Sequence, residues 1–361
     1  MNQPKTKIAI ISHALGGGGA ERFGGLLSFI LTDLGYDVHN IILNEPQDYD
    51  YSGSLLNLGK MYRNVPEWKR KFLKMMALRS YLKDHNINTI IDNRPRSLLF
   101  REWVTKQVFG NRKMYFLIQN YNLKNYLPES VFLAKWFYGN AEKFICVSKA
   151  IEAKVRDLYH FKNTVTIYNP TNLVPKDIPD ATGVPENYIL FFGRFDEKAK
   201  NFTLMLEAFS VSAIYKKGYT LILMGEGPDE HSIRSEVGKR NLDDYVKIIA
   251  YQKNPFSIVK KAKYTILTSR FEGFPLSIGE SLAVGTPVIS VDCKSGPSEV
   301  ITNKENGLLI ENHNPEAFAK AMNLLIDNKE LYQHCKNNAS KSVAHLSLEA
   351  VSKRWQQILS Q

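Results

Sequence analysis

The feature that most constrains this chain is its rhythm: short, β-branched apolar runs alternate with amphipathic helical stretches along the whole length. In the first half the runs fall at 7–12, 36–43, 88–92, 114–118, 143–147 and 164–168. In the second they fall near 188–193, 219–224, 245–250, 264–268, 287–291 and 307–310. Tyr188-Ile189-Leu190-Phe191-Phe192 is apolar at every position, as strands buried on both faces are. Such alternation predicts an α/β fold, with parallel doubly wound sheets covered by helices on both sides. Between the two series, Pro170, Pro175, Pro179 and Pro185 gather four of the chain's 15 prolines, which reads as a linker. At 361 residues the chain exceeds one ordinary hydrophobic core, so two domains are expected. Two such domains facing each other would leave a cleft at the carboxyl ends of their strands, where these sheets bind ligands. Leu348, Val351, Trp355 and Ile358 predict one last helix.

Composition narrows the function classes. With 44% hydrophobic and 23% charged residues, the chain is globular and not largely disordered. No apolar run reaches the roughly 18 residues needed to span a bilayer, and Ile8–Ile11 is too short for a secretion signal. Cys146, Cys293 and Cys335 are scattered, which fits a reducing cytosol and argues against disulfides or a zinc site. The net charge of +11 predicts an anionic partner: nucleic acid, a phosphorylated substrate or lipid headgroups. Nucleic acid is disfavoured, because no recognition-helix, RNP or zinc pattern appears.

Three segments carry phosphate-handling signals. The first strand runs into Gly16-Gly17-Gly18-Gly19-Ala20-Glu21-Arg22, and a helix pattern follows from Phe23 to Gly35. Glycines there let backbone amides approach a ligand, and a helix start favours an anion. The spacing is not GxGxxG, so a tight turn with no ligand is the competing reading. Gly193-Arg194-Phe195-Asp196-Glu197-Lys198-Ala199-Lys200-Asn201 puts three cations on the loop after the second half's first strand, where they could clamp a diphosphate. A solvated charged loop is its alternative. The decisive segment is Thr268 to Ile289, with Glu272 and Glu280 eight positions apart. Gly273 and Pro275 break the chain between them, and Pro275 suits a helix's first turn. Glu272 should therefore lie in the strand–helix loop and Glu280 on the helix that follows, whose first amides, at Leu276 and Ser277, point at the intervening space. A carboxylate there suits a hydroxyl donor such as a ribose diol.

Together, Gly18-Gly19-Ala20-Glu21-Arg22, Gly193-Arg194 with Lys200-Asn201, Gly225-Glu226-Gly227-Pro228 and the Glu272/Glu280 pair resemble the family 4 retaining glycosyltransferases of the GT-B fold. Asp292 to Glu299 and Asn306 to Leu309 also fit. The resemblance spans nearly the whole chain. It implies two facing Rossmann-like domains: an acceptor domain over 1–170, joined by a C-terminal helix at 346–361, a linker at 171–186, and a nucleotide-sugar domain over 187–345. It implies that Arg194 and Lys200 hold the donor diphosphate without a metal, with Gly18, Gly19 and Gly193 at the donor. Glu280 would bind the ribose, Glu272 and the amides of Gly273, Phe274 and Leu276 the sugar, and Tyr251 would lie near the base. Ser277 belongs to the same donor set. Arg194, Lys200 and Glu272 are thus the candidate catalytic residues. The family's second cation falls five positions after the arginine. Here Lys200 is six after Arg194, and Lys198 could share the role. Many members of that family carry a histidine near the reacting sugar; none stands at Leu117–Asn122 here, and the resemblance leaves Gln119 or Asn120 as the candidate sugar and acceptor contact there. His13 could occupy the cleft, but a structural role in its turn is the favoured reading.

The expected activity is transfer of a hexose or N-acetylhexosamine from a nucleotide sugar, with UDP favoured, to a glycan or lipid-linked acceptor in bacterial surface polysaccharide or lipopolysaccharide synthesis. No cofactor or metal is expected. Arg94 and Arg96 are candidate acceptor contacts. Residues 60–84 hold eight cations (Lys60, Arg63, Lys69, Arg70, Lys71, Lys74, Arg79, Lys83) and two acids. Aromatic and methionine side chains are interleaved among them, so the stretch is either a membrane-facing surface or an amphipathic helix with a basic solvent side. The expected location is cytoplasmic, peripheral on the inner membrane face if that surface binds lipid. A nucleotide-sugar epimerase or glycogen-type phosphorylase, an NAD oxidoreductase (suggested by the Gly16–Gly19 loop, although the second half's signature has no place in one) and a nucleic-acid-binding protein are the competing functions. Asp48-Tyr49-Asp50 matches a metal-binding DxD, a pattern common by chance in polar loops.

Overall fold

The computed structural model describes residues 5–96, 98–171, 175 and 177–360. They form two compact units, one of residues 1–168 with 351–361 and the other of 169–350. Of the expected linker, residues 172–174 and 176 lie outside the described residues.

The first unit is built, in chain order, from β1 (Lys7–Ser12), α1 (Gly19–Asp33), β2 (Asp37–Ile42), β3 (Ser54–Asn57), α2 (Leu58–Met61), α3 (Glu67–Asp84) and β4 (Thr89–Asp92). It continues with α4 (Leu99–Phe109), β5 (Lys113–Ile118), α5 (Val131–Tyr138), β6 (Lys143–Cys146), α6 (Lys149–Tyr159) and β7 (Thr164–Thr166). Its strands pair in the order β3-β2-β1-β4-β5-β6-β7, all parallel. The chain thus starts mid-sheet, winds to one edge, crosses back and winds to the other, leaving a switch point between β1 and β4. Ile8, Ala9, Ile10 and Ile11 sit in register with Thr89 to Asp92 and are all buried. Helix α6 shows how local sequence sets each layer. Ser148 caps it, its Oγ accepting from the Ile151 amide at 3.2 Å, and Ile151, Val155 and Tyr159 recur every four residues on its buried face.

The second unit contains β8 (Tyr188–Phe192), α7 (Glu197–Lys200), α8 (Phe202–Ser212), β9 (Thr220–Met224), α9 (Glu230–Lys239), β10 (Val246–Ile249), α10 (Phe256–Lys261) and β11 (Thr265–Leu267). After these come α11 (Leu276–Ala283), β12 (Val288–Val291), α12 (Pro297–Val300), β13 (Gly307–Ile310), α13 (Pro315–Asp327), α14 (Lys329–Ser342) and α15 (Leu348–Leu359). The sheet order is β10-β9-β8-β11-β12-β13, again parallel throughout. The switch point lies between β8 and β11, each followed by one of the loops singled out in the sequence. Helix α15 buries Val351, Trp355 and Ile358, and from Val351 onward the chain groups with the first unit.

All twelve expected strands are present within two residues of their bounds, and the α/β class with two doubly wound sheets holds. The strand that sequence reading missed is β3. It is a four-residue edge strand in which only Leu56 is buried, so neither an apolar run nor a clean alternation marks it.

Candidate active site

In the second unit, three loops at the carboxyl ends of β8, β9 and β11 are tied into one structure. The β8 loop leans on the β9 loop: the Gly193 amide donates to Met224 O at 3.0 Å and the Phe195 amide to Glu226 O at 2.8 Å. A Cβ on Gly225 would lie 1.9 Å from Gly193 O, and one on Gly227 would lie 2.2 Å from Phe195 O. Only glycine allows that approach, which is the physical content of the Gly225-Glu226-Gly227-Pro228 motif. Beyond Arg194, Asp196 caps α7 by accepting from the Ala199 amide at 3.1 Å, and Asp229 Oδ2 accepts from the Glu197 amide at 2.7 Å. Asn201 then takes a left-handed conformation, φ 56°, and its Oδ1 accepts from Leu204 N to start α8.

The β11 loop grips this turn from the other side. Thr268 Oγ1 donates to Lys200 O at 2.9 Å and to Asn201 O at 3.1 Å. The Arg270 amide donates to Ala199 O, and its guanidinium to Glu197 O and Glu197 Oε1. Within this frame Lys200 Nζ donates to Glu272 Oε1 at 2.6 Å, and Ser269 Oγ donates to the same oxygen at 2.6 Å. Residues 72 positions apart in sequence thus meet as a partly buried ion pair. Behind them, Cys293 is buried; desolvation, with the Glu272 carboxylate adding to it, pushes its thiol well up, so it packs as a neutral group. The Glu272 amide donates to Lys294 O and Ser295 Oγ to Gly273 O, which braces the loop over 272–275.

Pro275 occupies the cap position of α11 with no side-chain cap, so the first amides of the helix, at Leu276 and Ser277, look out of its start. Gly273 and Phe274 are buried beside them, Leu276 and Ser277 are half-buried, and Glu280 is buried in the helix's second turn. Arg194 is exposed and Gly193 half-buried, while Tyr251, after β10, is 43% exposed. Sequence reading named the charged members of this site. It gave no role to the side chains that hold them, Thr268, Ser269 and Arg270, although all three stand within four residues before Glu272. Among the described residues, no group of three His, Cys, Asp or Glu is arranged to hold a metal ion.

In the first unit the glycine-rich segment forms the start of α1, with Gly18 at its cap position and Gly19 exposed in its first turn. A polar chain fastens that start to the sheet. Gln119 Nε2 donates to Asn93 Oδ1, while Asn93 Nδ2 donates to Ala20 O at 2.8 Å and to Ser12 Oγ at 3.3 Å. Gln119 is buried; Asn120 is half-buried and accepts from the Asn122 amide at 2.8 Å, shaping its own turn. Asn93 was missed in the sequence, where one asparagine after a strand carries no signal. His13 is exposed and meets Asn44.

The expected acceptor role of Arg94 and Arg96 is corrected by their burial. Arg94 is 2% and Arg96 1% exposed. Arg94 makes a two-pronged pair with Asp92, Nε to Oδ1 at 2.8 Å and Nη2 to Oδ2 at 2.7 Å, and Glu102 on α4 lies 3.8 Å away. Arg96 donates to the carbonyls of Asp92, Arg94, Leu117 and Tyr126 and packs over the rings of Phe116 and Tyr126. These bonds are spent on the protein itself: Arg96 staples the ends of β4 and β5 together through Asp92 O and Leu117 O, and Arg94 stays with Asp92 and Glu102. Burial works to raise the Asp92 pKa, but the charge and hydrogen bonds of Arg94, with Arg96 behind it, hold it below its ordinary value.

Known proteins resemble the chain in both halves. A family model described as "Glycosyltransferase Family 4" matches residues 17–174, and one described as "Glycosyl transferases group 1" matches 177–342. The amylovoran biosynthesis glycosyltransferase AmsD of Erwinia amylovora is 22% identical over 357 residues, covering 98% of this chain and 99% of that protein. A Campylobacter jejuni enzyme, N-acetylgalactosamine-N,N'-diacetylbacillosaminyl-diphospho-undecaprenol 4-alpha-N-acetylgalactosaminyltransferase, is 26% identical, covering 92% of this chain and 93% of its own. Among solved structures, a TarM variant of S. aureus in complex with fondaparinux, alpha-GlcNAc-glycerol and UDP superposes with a TM-score of 0.81 at 15% identity, covering 99% of this chain and 100% of that one. The pneumococcal O-GlcNAc transferase GtfA, in complex with UDP and GlcNAc, gives 0.79 at 11% identity, covering 99% and 100%. With both Rossmann-like domains matched in sequence and in fold, the chain belongs to the family 4 glycosyltransferases and has the GT-B fold.

Proposed function

We propose that this glycosyltransferase moves a hexose or N-acetylhexosamine from a UDP-sugar to a glycan or lipid-linked saccharide in bacterial surface-glycan synthesis, with retention and without a metal. The observation that carries the reading is the pairing of Lys200 with Glu272 at 2.6 Å, on loops tied together beside the start of α11. Loss of the sugar builds negative charge on the departing phosphate. Two cations, Lys200 held by Glu272 and Arg194 beside it on the same loop, and the amides of a helix start, turned on that charge, would stabilise the transition state more than the ground state. Arg194 and Lys200 would take the diphosphate, and the helix start its neighbouring oxygens. Glu272 already accepts two hydrogen bonds on Oε1; this favours a role in holding sugar hydroxyls over one as an attacking group. The acceptor would attack from the face that the phosphate leaves, with the phosphate taking its proton.

The relatives' names support the substrate classes: one acts on a diphospho-undecaprenol-linked acceptor, and two of the solved neighbours hold UDP. The basic stretch 60–84 would bring the enzyme to a membrane carrying such an acceptor. Acceptor-dependent release of UDP from a panel of UDP-sugars tests the reading. The expected result is release unaffected by EDTA; loss of activity on chelation would overturn the metal-free assignment, and donor hydrolysis or epimerisation without acceptor would overturn the transfer. Glu280, assigned to the ribose, gives a separate prediction. Glu280→Gln should raise the Kd for UDP about 10- to 100-fold, the value of a hydrogen bond to a charged group. An unchanged Kd by calorimetry would remove the ribose assignment.

A further inference from the structure

The chain has 4 tryptophans. Trp355 is fully buried, but Trp68, Trp103 and Trp136 are 77%, 46% and 49% exposed, and they stand on α3, α4 and α5 respectively. These three helices are neighbours, with α4 packed against both of the others. They share a face because α3, α4 and α5 each lead to the next strand in the same direction along the sheet, from β3 to β4, β5 and β6, and such crossovers have one hand. A large apolar partner accompanies each tryptophan: Phe72 one helical turn from Trp68, Phe100 stacked on Trp103 at 6.2 Å, and Phe132 one turn from Trp136, all exposed. Cations lie beside the rings. Lys69 Nζ is 4.7 Å from the Trp68 ring centroid, and Lys106 Nζ is 4.8 Å from that of Trp136. Neither α4 nor α5 has an exposed acid, since Glu102, their one carboxylate, is buried.

We propose that the outer faces of α4 and α5, continued by α3, form a surface that inserts its tryptophans into the interfacial layer of an anionic lipid bilayer. Tryptophan is suited to that depth, with an apolar ring and a polar N–H, and lysines at the same level meet the headgroup phosphates. A second copy of the chain fits poorly, because two such faces would oppose like charges. No described helix is long and apolar enough to cross a membrane, so the contact is a surface one. The inference deepens the lipid-linked-acceptor reading, and it assigns the insertion to α4 and α5, beyond the basic stretch of α3.

Flotation of the full chain with vesicles of phosphatidylglycerol and phosphatidylcholine, against phosphatidylcholine alone, tests it. Binding to the anionic vesicles is expected, with tryptophan emission quenched when brominated lipids are used. The pair Trp103→Ser and Trp136→Ser should weaken partitioning at least about tenfold and remove most of the quenching. The same variant should retain wild-type UDP release with a soluble acceptor, so a failed membrane result and a failed glycosyltransferase result are told apart. No binding to anionic vesicles, or binding unchanged in the double variant, would overturn the proposal. So would concentration-dependent self-association that the same substitutions abolish, since the face would then belong to a second copy.

Discussion

Arg194→Ala should lower turnover by roughly 10²- to 10³-fold, the range seen when one fixed donor to developing negative charge is removed. The fold should barely notice. Arg194 is exposed, and exposed substitutions away from caps and cores usually change stability by no more than about 0.5 kcal/mol. Lys200→Ala should cause a comparable loss of turnover, but it also frees the Glu272 carboxylate, which then keeps Ser269 as its remaining partner on Oε1. The two variants therefore differ in kind. Arg194→Ala tests the diphosphate contact alone, and Lys200→Ala tests that contact together with the placement of Glu272. Steady-state assays of UDP release, beside thermal melts, separate the two quantities. Full activity in both variants would refute the assignment of the cations to the diphosphate.

The second large effect is on stability and lies in the first unit. Asp92→Ala should destabilise it by about 3–5 kcal/mol, because Arg94 is left buried with its two-pronged partner gone. Glu102, 3.8 Å away, is a weaker substitute. At roughly 2–4 °C per kcal/mol for a domain of this size, the melting temperature should drop by about 6–20 °C. The double variant Asp92→Leu with Arg94→Met, which removes both charges, should recover most of that loss. A single variant that melts with the wild type would show that the pair is not the support the geometry describes. The pH dependence has a definite sign. The carboxyl of Asp92 is held below its usual value in the folded state, so its contribution is present above the unfolded value of about 3.9 and is lost as pH falls further.

These two cases mark where sequence reading succeeds and where it stops. Strand positions were legible because a buried parallel strand is apolar on both faces, as Tyr188–Phe192 is. The edge strand Ser54–Asn57 was not, since with one buried side chain it carries no such signature. Charge was legible but not its company. Arg94 and Arg96 follow a strand at the sheet's carboxyl end, where ligand contacts are found, and only the fold reveals Asp92, Glu102 and four carbonyls spending their donors. The Lys200–Glu272 contact is hidden for the same reason, because it depends on Thr268 and Arg270 tying two loops together across the switch between β8 and β11. The exposed tryptophans of α4 and α5 were invisible because apolar residues on both sides of a helix read as core until neighbouring helices are placed.

A crystal structure with UDP bound tests the central claim most directly. The account predicts the diphosphate in the second unit, its oxygens within hydrogen-bonding distance (about 3 Å) of the Arg194 guanidinium, Lys200 Nζ and the amides at the start of α11, with the ribose hydroxyls on Glu280. UDP seated away from the β8 and β11 loops, or a diphosphate that leaves both Arg194 and Lys200 untouched, would contradict it.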